Sequence, residues 1–217
     1  MPLYLYPSEN TEDLFVREQE GRWANLDSGL LNALETAHGE APAPEEVFYY
    51  IYAILYAPSY REKYADFLKT DFPRVPFTSN RELFNALAEL GHTLSDLHLL
   101  QSDKLDTPIA KFEGEGDCKV AKNKQQGFGF NTDEERVYIN PDQYFTPVSA
   151  ELWEYQIGGY QVLEKWLKDR KERTLSHDDI RTYCRIVTAI HQTIQIQQQI
   201  DEHYPEVEKD IVNLGKT

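Results

Sequence analysis

The spacing of hydrophobic positions changes partway along this chain of 217 residues. In the first half it is helical. Val47, Ile51, Ile54 and Leu55 recur on one side, and Phe48, Tyr49 and Tyr52 widen the stripe until most sides are apolar. That pattern predicts a largely buried helix opening at Pro44 and running to about residue 56. Leu83, Phe84, Leu87, Leu90, Leu94, Leu97 and Leu100 line one side of a longer helix reaching about residue 100, with Asn80 as its cap. Two shorter helices complete this half. One spans 28–38 between a cap at Asp27 or Ser28 and a stop at Gly39, and the other spans 59–69 after Pro58. Leu3-Tyr-Leu-Tyr6 reads as a strand, followed by an acidic polar loop leading to Trp23. Pro73 and Pro76 exclude a helix interior between Thr70 and Asn80.

Beyond about residue 105 the period becomes two. Residues 107–113, 117–123 and 135–139 read as strands, with Gly114-Glu-Gly116 as a hairpin turn between the first two and a glycine-aromatic loop over 125–132. A further aromatic strand at 151–156 leads through Gly158-Gly159 into a helix that places Val162, Leu163, Trp166 and Leu167 on one face. Thr174-Leu-Ser176 caps a last helix over 177–200. The class expected is α+β: a helical N-terminal half, a small, mostly antiparallel sheet in the middle and two C-terminal helices. The boundary near 102–106 separates a helix-rich part, 1–104, from a strand-bearing part, 105–217, within one compact unit.

Composition narrows the options. The chain is long enough for a sizeable core, and it contains no run of about 18 apolar residues that would cross a membrane. Its start lacks a basic region followed by an apolar core, so no secretory signal is visible. Two cysteines in dissimilar contexts, Cys118 and Cys184, make neither a disulfide framework nor a zinc site and suit a reducing cytoplasm. The net charge of −15 argues against a free-standing DNA-binding protein. The acidity is uneven: residues 1–60 carry ten acids against two bases, and the later chain is closer to balance with local basic clusters.

Several strings have a family likeness. The segment from Glu151 to Arg170, with Trp153, Tyr155, Gly158-Gly159, Tyr160 and Trp166, resembles the C-terminal specificity region of the single-chain Type I restriction-modification enzymes, type ISP. So do Pro2-Leu-Tyr-Leu-Tyr-Pro7, Glu46-Val-Phe-Tyr-Tyr-Ile-Tyr-Ala-Ile-Leu-Tyr56, the run from Tyr60 to Pro76, and Phe84-Asn-Ala-Leu-Ala-Glu-Leu-Gly91. The resemblance covers about residues 2 to 200. It implies a non-catalytic DNA target-recognition domain of a bacterial, cytoplasmic enzyme, holding double-stranded DNA against an adenine-N6 methyltransferase. S-adenosylmethionine and ATP would belong to absent upstream methyltransferase and helicase domains, and this chain would hold no cofactor.

No catalytic constellation competes with that reading. There is no Asn/Asp/Ser-Pro-Pro-aromatic tetrapeptide of adenine methyltransferases, and Asn140-Pro141-Asp142 is a turn. Gly127-Phe-Gly-Phe130 lacks the rest of a phosphate loop, and Lys111 with Glu113 matches a nuclease pattern only in reverse. His177-Asp178-Asp179 sits where a helix N-terminus favours acids, and lacks further metal ligands.

For DNA contact, three segments and one isolated residue are candidates. Lys119, Lys122, Lys124, Gln125 and Gln126 form a groove-entering loop, with Gln suited to adenine edges and Lys to phosphate or guanine. Gln156 and Tyr160 flank the paired glycines. Lys165, Lys168, Arg170, Lys171 and Arg173 form a phosphate-contacting cluster, and Arg74 is a further phosphate candidate. Each has a plainer reading: a solvated tip, a packed turn, cations drawn to a helix C-terminus, and a structural ion pair. An acidic protein-interaction module of the same multidomain enzyme, motivated by the N-terminal quarter and the 177–200 helix, stands as the competing reading, and a small stand-alone enzyme as a third.

Overall fold

The structure, a computed structural model, describes residues 2–6 and 21–213, so the acidic loop expected over 7–20 lies outside the described residues. The chain divides into two compact units, residues 1–95 with 196–217, and residues 96–195.

The first unit is helical apart from one short antiparallel pair, β1 (Tyr4–Leu5) with β2 (Trp23–Ala24). In α1 (Ser28–His38), the Asp27 carboxylate accepts from the Leu30 amide at 2.9 Å and Gly39 closes the helix in the left-handed region. α2 (Pro44–Tyr56) starts on its proline and buries Val47, Tyr50, Ala53 and Ile54. The single helix expected over 59–69 is two, α3 (Pro58–Lys63) and α4 (Phe67–Thr70). They are parted where Tyr64 leaves helical geometry at φ −107°, ψ 18°. α5 (Arg81–His98) begins at Asn80, whose side chain accepts from the Leu83 amide at 3.1 Å. A Cβ on Gly91 would lie 1.9 Å from the Tyr49 carbonyl, so α2 and α5 touch backbone to backbone there.

Tyr50 organises this core. Its ring lies 5.3 Å from Phe77 and 4.6 Å from Phe84, and its hydroxyl donates to the Pro76 carbonyl and accepts from the Thr78 amide. The last turns of α8 (His177–Lys209), from Ile196 onward, belong to the same unit. There Asp201 accepts from the amide and hydroxyl of Ser59 at 2.8 and 2.7 Å. This helix runs nine residues past the expected end, through Pro205.

The second unit is built on a four-stranded antiparallel sheet of β3 (Lys111–Glu113), β4 (Gly129–Asn131), β5 (Arg136–Tyr138) and β6 (Tyr144–Thr146), in the order β3-β6-β5-β4. The register aligns Phe112, Phe145, Val137 and Phe130 in one row. That row packs onto Leu152, Leu163, Leu167, Tyr183 and Val187. α6 (Ala150–Glu154), the hairpin β7 (Gln156–Ile157) and β8 (Tyr160–Gln161), and α7 (Val162–Lys168) follow the sheet.

Four details differ from expectation. Segment 117–123 forms no strand, only a single bridge from Lys119 to Thr174. β3 therefore pairs with β6, and Gly114–Gly116 is not a hairpin turn. The loop expected over 125–132 contains β4. Residues 150–154 form a helix in place of a strand, because Ser149 caps it, accepting from the Leu152 amide. The Gly158-Gly159 break is a two-residue hairpin turn with φ of 58° and 81°, and positive angles at both positions suit glycine.

Candidate nucleic-acid interface

The lysine-bearing segment 118–126 has no sheet partner, and it is held by side chains and neighbouring loops. Val120 is fully buried and anchors it in the core of the second unit. The Val120 amide donates to the Arg173 carbonyl at 3.0 Å and the Glu172 amide donates to the Val120 carbonyl at 2.8 Å. On the other side, the Ala121 amide donates to the Ile139 carbonyl at 2.7 Å.

A buried amide network adds the rest. Gln143, 2% exposed, accepts from the Cys118 amide at 2.8 Å and from the Asn140 side chain at 3.0 Å. Asn140 also donates to the Lys119 carbonyl at 3.1 Å. A helical turn, Lys124–Gln126, follows with Asn123 as its cap. The side-chain oxygen of Gln126 accepts from the Lys122 amide at 3.1 Å, so Gln126 closes its own loop, while Gln125 stays exposed. Lys119, Lys122 and Lys124 are exposed, and no ion pair or side-chain hydrogen bond engages them among the described residues.

The second basic stretch joins the first through residues 172–175, but most of its cations are engaged. Lys165 pairs with Asp169, and Lys168 pairs with Glu164 at 2.7 Å, both at i,i+4 spacing on α7. Arg170 lies 3.5 Å over the Trp166 ring, donates to the Trp166 carbonyl and pairs with Asp179 at 3.2 Å. Lys171 sits 5.4 Å over the Phe128 ring. Arg173 is exposed, with no ion pair among the described residues, and its backbone is the one bonded to Val120. The cations of the two stretches that form no ion pair among the described residues, Lys119, Lys122, Lys124 and Arg173, thus lie on two segments whose backbones are hydrogen-bonded to each other.

Gln156 and Tyr160 lie at the opposite end of α7, about 10 Å of helix away. Gln156 pairs with Gln161, and Tyr160 is 63% exposed opposite Ile157, which is also exposed. Arg74 belongs to the first unit. It is exposed and 3.8 Å from Asp71.

Ser176 caps α8, its hydroxyl accepting from the Asp179 amide at 3.1 Å, and the Asp179 carboxylate accepts in return. Hydrogen bonds from the Ser176 amide and hydroxyl, with Arg170 assisting, hold its carboxyl below the usual range. Asp178 pairs with Arg181, so His177-Asp178-Asp179 behaves as a helix start. No group of three metal-ligating side chains is positioned for an ion among the described residues. Burial pushes the Cys184 thiol up to about 11, which suits a core position.

Sequence reasoning did not single out the outward row of the sheet. Arg136 lies 4.2 Å over the Tyr144 ring, and Glu134 accepts from the Tyr138 hydroxyl. The alternation within β5 and β6 carried that signal. Glu113 and Glu134 sit beside these groups, so the row is not a basic surface.

Three solved structures share the fold: the DrdV–DNA complex (TM-score 0.59, 22% identity, 83% of this chain), the ATP-dependent Type ISP restriction-modification enzyme LlaBIII bound to DNA (0.60, 18%, 93%), and a nuclease-deletion mutant of the Type ISP enzyme LlaGI with a DNA substrate mimic (0.51, 21%, 85%). The chain spans only 20%, 13% and 14% of those chains respectively. No curated protein matches it. No helix among the described residues is long and apolar enough to cross a membrane. The family model for the Type ISP C-terminal specificity domain matches residues 1–199, and the chain belongs to that family.

Proposed function

We propose that this chain is the non-catalytic DNA target-recognition part of a Type ISP restriction-modification enzyme. In this reading it holds a duplex for adenine-N6 methylation by a methyltransferase domain elsewhere in the enzyme. S-adenosylmethionine and ATP serve the methyltransferase and helicase domains and not this chain. The observation that carries the reading is a set of four exposed cations without ion pairs among the described residues, Lys119, Lys122, Lys124 and Arg173, on two hydrogen-bonded segments of a specificity domain. Residues 96–195 hold 13 of the chain's 22 basic residues, which places most of the charge available to phosphates in the second unit. Support from Val120 and Gln143 fixes the backbone that carries Lys119, a framework on which recognition can be built.

The test is binding to random-sequence duplex, titrated from low to physiological salt. The unaltered chain should bind at low salt and weaken steeply as salt rises. Replacing both Lys122 and Lys124 by Ala should weaken binding and lower the slope of log affinity against log salt by about 1.8, the value for two lost phosphate contacts. An unchanged slope removes the segment from the interface. Absence of binding at any salt, with the methyltransferase domain restored, ends the recognition reading.

A further inference from the structure

Beside the lysine segment lies an open cleft of about 390 Å³, with Gly116–Lys122 along one wall and Asn140–Asp142 along the other. Its charge pattern is unlike that of a phosphate site. Asp117, Asp142 and Glu172 line it together with Lys119 and Lys122, so a phosphate inside would face a carboxylate majority. It is not a cation centre either, since no three such side chains come within reach of one ion among the described residues.

The carboxylates differ in how the fold engages them. Asp117 accepts from the Lys119 amide at 3.0 Å. The Asp142 carboxylate has no hydrogen bond or ion pair among the described residues, although the Asp142 amide is fixed by Asn140. A carboxylate on an anchored backbone, without an internal partner among the described residues and flanked by lysines that form no ion pair there, matches a neutral group that donates hydrogen bonds next to phosphates. In a duplex that group is the exocyclic amine on a base edge. The walls are tied together by Gln143 and Asn140, so the backbone that carries Asp142 is fixed while its exposed carboxylate is free to turn toward a donor.

We propose that this cleft reads one base of the target: Asp142 accepts a hydrogen bond from the exocyclic amine of cytosine or adenine in the major groove, while Lys119 and Lys122 hold the flanking phosphates. The inference rests on the DNA-recognition reading above and adds to it a named specificity residue and a base class.

The test begins by selecting the preferred duplex of the unaltered chain from a random pool. Each cytosine in it is then replaced singly by 2-pyrimidinone and each adenine by purine, which removes only the amine. One position should weaken binding by about tenfold or more when its amine is lost. Asp142→Ala should be indifferent to the amine at that position, and should hold random duplex at least as tightly because a negative charge has gone. Asp142→Asn, which retains an acceptor oxygen, should keep part of the discrimination. Melting temperatures equal to that of the unaltered chain certify folding of both variants. An Asp142→Ala protein that keeps the same amine sensitivity overturns the cleft reading and leaves the recognition role standing, as does a selected site with no amine-sensitive position. Absence of duplex binding at any salt, with the methyltransferase domain restored, would instead remove the recognition role and this inference together.

Discussion

Two basic stretches of the second unit look alike on paper and behave differently in the fold. Lys165–Arg173 carries five cations, yet the carboxylates Glu164, Asp169 and Asp179 and the rings of Trp166 and Phe128 engage four of them. Lys119–Gln126 carries three lysines, and none is engaged by an ion pair among the described residues. The denser cluster is therefore chiefly structural, and the sparser one holds the charge that is free for a polyanion. The lesson concerns spacing: Glu164 to Lys168 and Lys165 to Asp169 are both four residues apart on a helix, where opposite charges meet. Lys122 and Lys124 have no acid at such a distance on a helical face.

That contrast can be broken in three ways, in decreasing order of expected effect. Gln143→Leu should cost about 2 kcal/mol of stability, since it leaves the partly buried Cys118 amide and one N–H of the Asn140 side chain without an acceptor. Chemical denaturation measures this, and duplex affinity should fall with no cation removed. Arg170→Ala should cost about 2 kcal/mol through the lost stacking on Trp166 and the lost partner of Asp179. Its salt slope for duplex binding should match that of the unaltered chain. The folded pKa of Asp179 is depressed, so its contribution is present above the unfolded carboxylate pKa and is lost as pH falls through the folded value. Arg170→Ala should therefore show a smaller loss of stability on acidification. Lys165→Ala and Lys168→Ala should each cost only about 0.3 kcal/mol, as exposed i,i+4 pairs do, and neither should alter the salt slope. A lowered slope in either would show that α7 touches phosphate and would erase the contrast.

Helices were legible where a polar cap or a proline marked their ends. Asp27, Gly39, Pro44 and Asn80 act in the structure as their types predict. Errors arose where local pattern and tertiary partner disagreed. Lys119-Val-Ala-Lys122 alternates like a strand, with Val120 pointing inward, but its hydrogen bonds go to coil at 172–175 and to Ile139, so no ladder forms. Trp153 and Tyr155 suggested β structure, yet Ser149 three residues ahead of Leu152 was a helix cap in plain view. The candidate lysines could be picked out from sequence alone. That they form no ion pair among the described residues could not, and neither could the cleft, because Asp117, Asp142 and Glu172 come together only when three distant loops meet.

The lysine segment is held in shape by uncharged amides, Gln143 and Asn140, and by the buried Val120 side chain. Dissolved ions that screen its charges therefore do not loosen its framework. Grip and form respond to different variables. On the reading proposed above, ionic strength alone would release a bound polyanion and leave the surface ready for the next encounter without refolding.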